Sequence, residues 1–209
     1  MPSLELEQDL HRQGYRWVAG IDEAGRGPLA GPVVAGAVVL PTGMAEVPSW
    51  LDEVDDSKKL TARQRQRCLQ ELRLHAVGIG IGIAEQAEID EVGIGDATRR
   101  ALGRAVDDLL PFPDYILADY VPLLQVPVPH QALKGGDGRC YCIAAASIVA
   151  KVTRNKLMEE ADKQYPGYGF ARHKGYATHH HLRELAQRGP CPIHRRSFSP
   201  LRVSEKANG

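Results

Sequence analysis

The chain has 209 residues, 43% hydrophobic and 25% charged, which suffices for an ordinary buried core and excludes a disordered chain. The formal charge is zero, yet residues 1–138 carry 13 Lys or Arg against 21 Asp or Glu, and residues 139–209 carry 13 against 5, with most of the histidines. No apolar run approaches the ~20 residues of a membrane span, the polar start is unlike a signal peptide, and Cys68, Cys140, Cys142 and Cys191 form no Cys-x-x-Cys framework; a cytoplasmic chain with free thiols is expected.

Residues 1–14 read as a short amphipathic helix or arm anchored by Leu4, Leu6 and Leu10. Trp17 to Asp22 is a first strand, Gly25 to Gly31 a turn, and Pro32 to Leu40 a second strand whose near-continuous apolar run predicts burial on both faces. Thr61 is placed to cap a helix over about 62–76, with Cys68, Leu69 and Leu72 on its inner face. Val77 to Ala84 alternates isoleucine with glycine, so a third strand presents one face to which another element can pack closely. No helix bearing Lys-Ser/Thr follows, which removes the phosphate-loop reading of those glycines.

Ala87 to Leu110 reads as helix, broken near Gly93 to Gly95; Asp114 to Ala118 is a short strand, and Leu123 to Val128, flanked by prolines, a peripheral one. A turn at Lys134 to Gly138 opens a long Ala-rich helix, Tyr141 to about Tyr165, and a last helix spans about 178–188. A meander of three strands followed by alternating strands and helices predicts an α/β fold, a five-stranded mixed sheet flanked by helices. One domain over 1–209 is expected, with a core at about 15–165 and a small helical extension at about 166–200.

The chemistry gathers on carboxylates. Asp22 and Glu23 end the first strand just before Gly25-Arg26-Gly27, and Asp119 ends another strand. If those strands are parallel neighbours, both ends open into one crevice, and Asp137 at a helix start overhangs it. Singly, Asp119 is an ordinary strand-end residue and Asp137 is equally a helix cap. Together the four would repel one another unless a divalent cation offsets their charge; an all-oxygen set favours Mg²⁺ or Mn²⁺ over Zn²⁺, and a pair of ions suits phosphodiester hydrolysis. The basic final third suits a polyanion.

In order and spacing, Gly20-Ile21-Asp22-Glu23-Ala24-Gly25-Arg26-Gly27-Pro28, Asp56-Ser57-Lys58-Lys59-Leu60, Asp119, Lys134-Gly135-Gly136-Asp137, Ala144 to Val152 and His173-Lys174-Gly175-Tyr176 resemble bacterial ribonuclease HII over roughly residues 15–200. The resemblance implies a ribonuclease H-like fold and a metal-dependent endonuclease. Its partners would be RNA/DNA hybrids and duplex DNA holding a single ribonucleotide, cut to leave a 3′-hydroxyl and a 5′-phosphate. It implies Asp22, Glu23, Asp119 and Asp137 as metal ligands, and Gly25, Arg26 and Gly27 as readers of the ribose 2′-hydroxyl. It further implies Tyr176 stacking on the sugar of the next deoxynucleotide, and Ser57 and Lys58 at phosphates, with Lys151 and Arg154 extending that basic surface.

Asn155 departs from the Asp common in the family and puts a helix contact in doubt, not the carboxylates. Cys140 and Cys142 are close enough in sequence to be a redox pair, though such spacing strains a disulfide. Cys191 and His194 with His179, His180 and His181 hint at zinc, but the family's Pro-Ile-His-Arg-Arg-Ser-Phe segment, here Pro192 to Phe198, favours a structural tail. Ribonuclease HIII is disfavoured by the residues around the acidic pair. A hybrid-binding module without chemistry is opposed by the presence of all four carboxylates. Monomer is the default, with no membrane partner.

Overall fold

A computed structural model describes residues 1–120 and 126–201. A sheet of order β3-β2-β1-β4-β5 carries helices on both faces. The strands β1 (Val18–Ala24), β2 (Val33–Val39) and β3 (Gly78–Ala84) run as an antiparallel meander. The strands β4 (Tyr115–Asp119) and β5 (His130–Leu133) add in parallel to β1. β2 is buried along its whole length, as its β-branched run requires.

Two helices cover the sheet. On one face lies α4 (Tyr141–Gln164), buried continuously from Tyr141 to Ala150. Small side chains let it ride on the backbone of β1 and β2: a Cβ added at Gly20 would sit 2.1 Å from the Cys142 carbonyl carbon, and one at Gly36 2.4 Å from the Ala146 carbonyl oxygen. On the other face α3 (Gln86–Asp107) occupies the glycine side of β3, with the Ala105 and Ala101 carbonyls against Gly80 and Gly82. Its kink is at Gly93, where φ is 81°.

Smaller elements frame this core. Helix α1 (Glu5–Arg12) buries Leu10 and sends Glu7 to the start of α4, where its carboxylate accepts the Cys142 N–H at 3.0 Å. That charge caps a helix whose own N-cap, Cys140, supplies no side-chain bond. Helix α2 (Ala62–His75) starts from a Thr61/Gln64 capping box. A short α5 (Phe170–His173) and α6 (His179–Arg188) follow α4.

The peripheral strand departs from the expectation at Leu123 to Val128. Residues 123–125 lie outside the described ones, 126–128 are not strand, and the edge strand is His130–Leu133. With three of its four residues exposed, this strand carries no apolar alternation to announce it. Among the described residues, no helix is long and apolar enough to cross a membrane.

Candidate active site

The parallel pairing of β1 and β4 sets Ile21 opposite Ala118, so the next residues, Asp22 and Asp119, stand side by side where β4 ends and β1 runs on beside β2. Asp137 arrives from a single 3₁₀ turn, Gly136–Gly138, between β5 and α4. That turn is tied to the strand end: the Gly136 N–H donates to the Asp119 carboxylate at 2.8 Å. One carboxylate oxygen from each of Asp22, Asp119 and Asp137 falls within 4.8 Å of the others.

Glu23 is not in that trio, and the pleat explains why. Successive strand residues point to opposite faces. Asp22 shares the α4 face with Val18 and Gly20, whereas Glu23 shares the α3 face with Ala19 and Ile21. Near the end of the strand Glu23 meets Arg26, whose guanidinium donates to it at 3.3 Å, while its second oxygen is buried without a partner among the described residues.

Burial first, then the charges of Glu23 and Asp119, push the Asp22 carboxyl well above the usual carboxylate range. Burial also raises Glu23, against the nearby Arg26 cation, and raises Asp119, against the N–H bond from Gly136. One cation enters the cluster: Lys58 donates to Asp137 at 3.1 Å. Against its partial burial, that bond and the Asp137 charge hold the Lys58 ammonium above its ordinary value. Three converging carboxylates, a fourth alongside with a buried oxygen and, among the described residues, no protein cation beyond Lys58 and Arg26 within bonding distance fit a divalent metal by donor chemistry, since hard oxygens select hard ions.

Beside the carboxylates, Arg26 and Gly27 are exposed, whereas Gly25 is buried at a φ of 97° that favours glycine. The ring of Tyr176, 43% exposed, lies 3.9 Å from where a Gly27 Cβ would be, and Lys151 Nζ is 5.8 Å from its centroid. The turn and the tyrosine therefore form one surface. Ser57 is buried, its N–H donating to the Ser147 hydroxyl at 3.3 Å; its neighbour Lys58, not Ser57, reaches into the site.

Arg154 corrects an expectation. It is not part of a basic surface: it is 1% exposed, and donates to the carbonyls of Pro32, Lys174 and Ala30 at 2.9, 3.0 and 3.1 Å. Arg195, not singled out in the sequence, is 0% exposed and donates to the Gly31, Arg26 and Gly25 carbonyls at 2.9, 2.9 and 2.6 Å. Composition gave no sign of either burial, because arginine normally marks the surface; the one trace of Arg195 was its place in the Pro192 to Phe198 segment. The histidines build a packed tail: His181 and His194 share a 3.0 Å bond, and both ring against Phe170. Cys140 and Cys142 are free thiols 3.3 Å apart, both raised first by burial.

Comparison with known proteins places the chain in a family. The family model for ribonuclease HII matches residues 19–201. The chain belongs to the ribonuclease HII family. The ribonuclease HII of Chloroflexus aurantiacus is 51% identical over 201 residues, covering 96% of this chain and 95% of that one. That of Geobacter metallireducens is 50% identical over 193 residues, covering 92% and 88%. Among solved structures, the ribonuclease H2 from Pyrococcus horikoshii OT3 superposes with a TM-score of 0.75 at 28% identity, over 89% of this chain and 95% of that one. A ribonuclease HIII bound to Mn²⁺, at 19% identity with a TM-score of 0.65 over 91% and 70%, shares the fold. As a member of this family, the chain is a hydrolase, a ribonuclease H-type endonuclease of a divalent-metal-dependent family.

Proposed function

We propose that this ribonuclease HII cuts the RNA strand of RNA/DNA hybrids and nicks duplex DNA on the 5′ side of a single embedded ribonucleotide. The observation that carries the reading is the convergence of Asp22, Asp119 and Asp137 beside the exposed Arg26-Gly27 turn and Tyr176. Asp22, Glu23, Asp119 and Asp137 would hold Mg²⁺ or Mn²⁺, in all two ions. Such ions, when bound, lower the pKa of water and offset charge building on the phosphate.

The protein's own groups supply placement. Main-chain groups of Gly25, Arg26 and Gly27 come close to the minor groove and meet the 2′-hydroxyl, the atom that separates ribose from deoxyribose. Tyr176 stacks on the following deoxyribose, so a junction is held better than either pure strand. Lys58 orients Asp137 and lends positive charge near a backbone phosphate, with Ser57 holding the start of that segment and Lys151 beneath the tyrosine. Water attacks phosphorus, the bond from phosphorus to the 3′-oxygen breaks, and that oxygen departs with a proton as a 3′-hydroxyl. The ribonucleotide keeps the 5′-phosphate. The reaction suits removal of ribonucleotides from DNA during replication and repair, by a monomer acting in the cytoplasm.

The test is a labelled duplex with one ribonucleotide, incubated with Mg²⁺, with Mn²⁺ or with chelator, beside an all-DNA duplex. A metal-dependent nick 5′ of the ribonucleotide is expected. An intact ribonucleotide duplex under both metals would end the reading.

A further inference from the structure

The Gly25-Arg26-Gly27 turn is attached to the rest of the molecule from below. Arg195 Nη2 donates to the Gly25 carbonyl at 2.6 Å, Nη1 to the Arg26 carbonyl at 2.9 Å, and Nε to the Gly31 carbonyl at 2.9 Å. All three donor nitrogens of one planar guanidinium are thus committed to a single loop. A trans peptide is planar, with its C=O and the following N–H on opposite sides. Pulling the Gly25 and Arg26 carbonyls inward therefore turns the N–H groups of Arg26 and Gly27 outward. Both residues are exposed, and neither N–H donates to a protein acceptor among the described residues.

Arg195 has no salt bridge to a carboxylate among the described residues; its buried charge is met by three carbonyl dipoles, by the Phe198 ring 5.1 Å from its guanidinium carbon and, at longer range, by Asp90. Burying a cation this way is costly, and an apolar side chain of similar volume would commonly serve stability as well or better. What an apolar side chain cannot do is hold three carbonyls at fixed angles. Arg154 braces the other end of the same loop at Ala30 and Pro32 and joins it to Lys174, two residues before Tyr176.

We infer that Arg195 is a positioning residue that fixes the polarity of the turn, aiming the Arg26 and Gly27 N–H groups as paired donors at the substrate oxygen they read. This rests on the proposed reading of the 2′-hydroxyl by the turn. It adds that selection against DNA depends on a side chain that never touches substrate, set 170 residues along the chain from Gly25.

The test is a cycle between the protein and the substrate. Wild type and Arg195→Lys are titrated, with Ca²⁺ present, against duplexes carrying one ribonucleotide, its 2′-fluoro counterpart or deoxynucleotide only. Folding is followed by circular dichroism. A lysine ammonium cannot span three carbonyls, so the folded variant should lose about tenfold of the wild-type preference for the ribonucleotide, while its affinity for the all-DNA duplex stays put. A merely structural role would weaken binding to all three duplexes alike, and that result, or an unchanged preference, overturns the inference. If the variant does not fold, amide spectra of wild type decide. The Arg26 and Gly27 N–H signals should move on adding the ribonucleotide duplex and not the all-DNA one, and their indifference overturns it. A wild type with no preference at all refutes the reading of the turn itself, a separate failure from that of Arg195.

Discussion

Replacing Gly20 by alanine tests whether the contact between β1 and α4 sets the active-site geometry. The new Cβ would lie 2.1 Å from the Cys142 carbonyl carbon, 2.3 Å from the Ile143 nitrogen and 2.4 Å from the Cys142 oxygen. Carbon contacts begin near ~3.5 Å, so the start of α4 has to retreat by about 1 Å. These are backbone atoms on a continuously buried helix, with no rotamer to turn aside. Overpacking of this kind costs about 1–3 kcal/mol, and a chain of this length loses about 2–4 °C in Tm for each kcal/mol. Asp137 is five residues before Cys142, in the turn that feeds α4, so the retreat carries it away from Asp22 on β1. A misplacement of about 1 Å can cost ~10²-fold in rate. Thermal unfolding and metal-dependent cleavage would be measured together, with Gly103→Ala on α3 as control, since its Cβ meets nothing within 4 Å. A Gly20→Ala protein that melts and cuts like wild type would refute the reasoning.

Other perturbations separate the parts. Asp22→Asn should abolish cleavage yet raise the metal-free Tm, because it removes a buried acid held well above its normal range by burial and by Glu23 and Asp119; calorimetry in chelator checks this, and a lowered Tm contradicts it. Tyr176→Ala should reduce cutting at single ribonucleotides about tenfold more than cutting of long hybrids, measured as paired rates, and equal losses would remove its junction role. His194 is lowered from 6.5 to about 4, by burial and then by His181, so its unfolded form binds the proton first. The stability it protects is complete above about pH 6.5 and falls as the pH drops towards 4, by up to about 3 kcal/mol. Denaturant titrations across that window should show the slope, and His194→Gln should reduce it, leaving the part that the likewise lowered His173 and His181 contribute.

The sequence made the carboxylates legible because each follows the apolar run of a strand, and the parallel register of Ile21 with Ala118 is what brings Asp22 beside Asp119. The glycine face of β3 likewise announced a close neighbour, and α3 occupies it. Strand alternation already separates Glu23 from Asp22, yet an Asp-Glu pair reads in one dimension as a single ligand group. The edge strand His130–Leu133 was hidden because an exposed strand has no buried alternation to display. Arg154 and Arg195 were hidden for another reason: their partners are carbonyls, which leave no trace in side-chain sequence, and the partners' distance along the chain runs from 20 to 170 residues.

The bridge between Ala30 and His194, with the Gly31 N–H donating to the Ile193 carbonyl and the Arg195 N–H to Leu29, has a consequence for the order in which the molecule becomes whole. During synthesis the strands bearing Asp22 and Asp119, and the turn bearing Asp137, leave the ribosome well before Arg195 does. Until it does, the Gly25 and Arg26 carbonyls lack the three-point hold that Arg195 gives this loop. A chain nicked or halted just short of Arg195 would keep Asp22, Asp119 and Asp137 and lack the side chain that holds the Gly25 and Arg26 carbonyls.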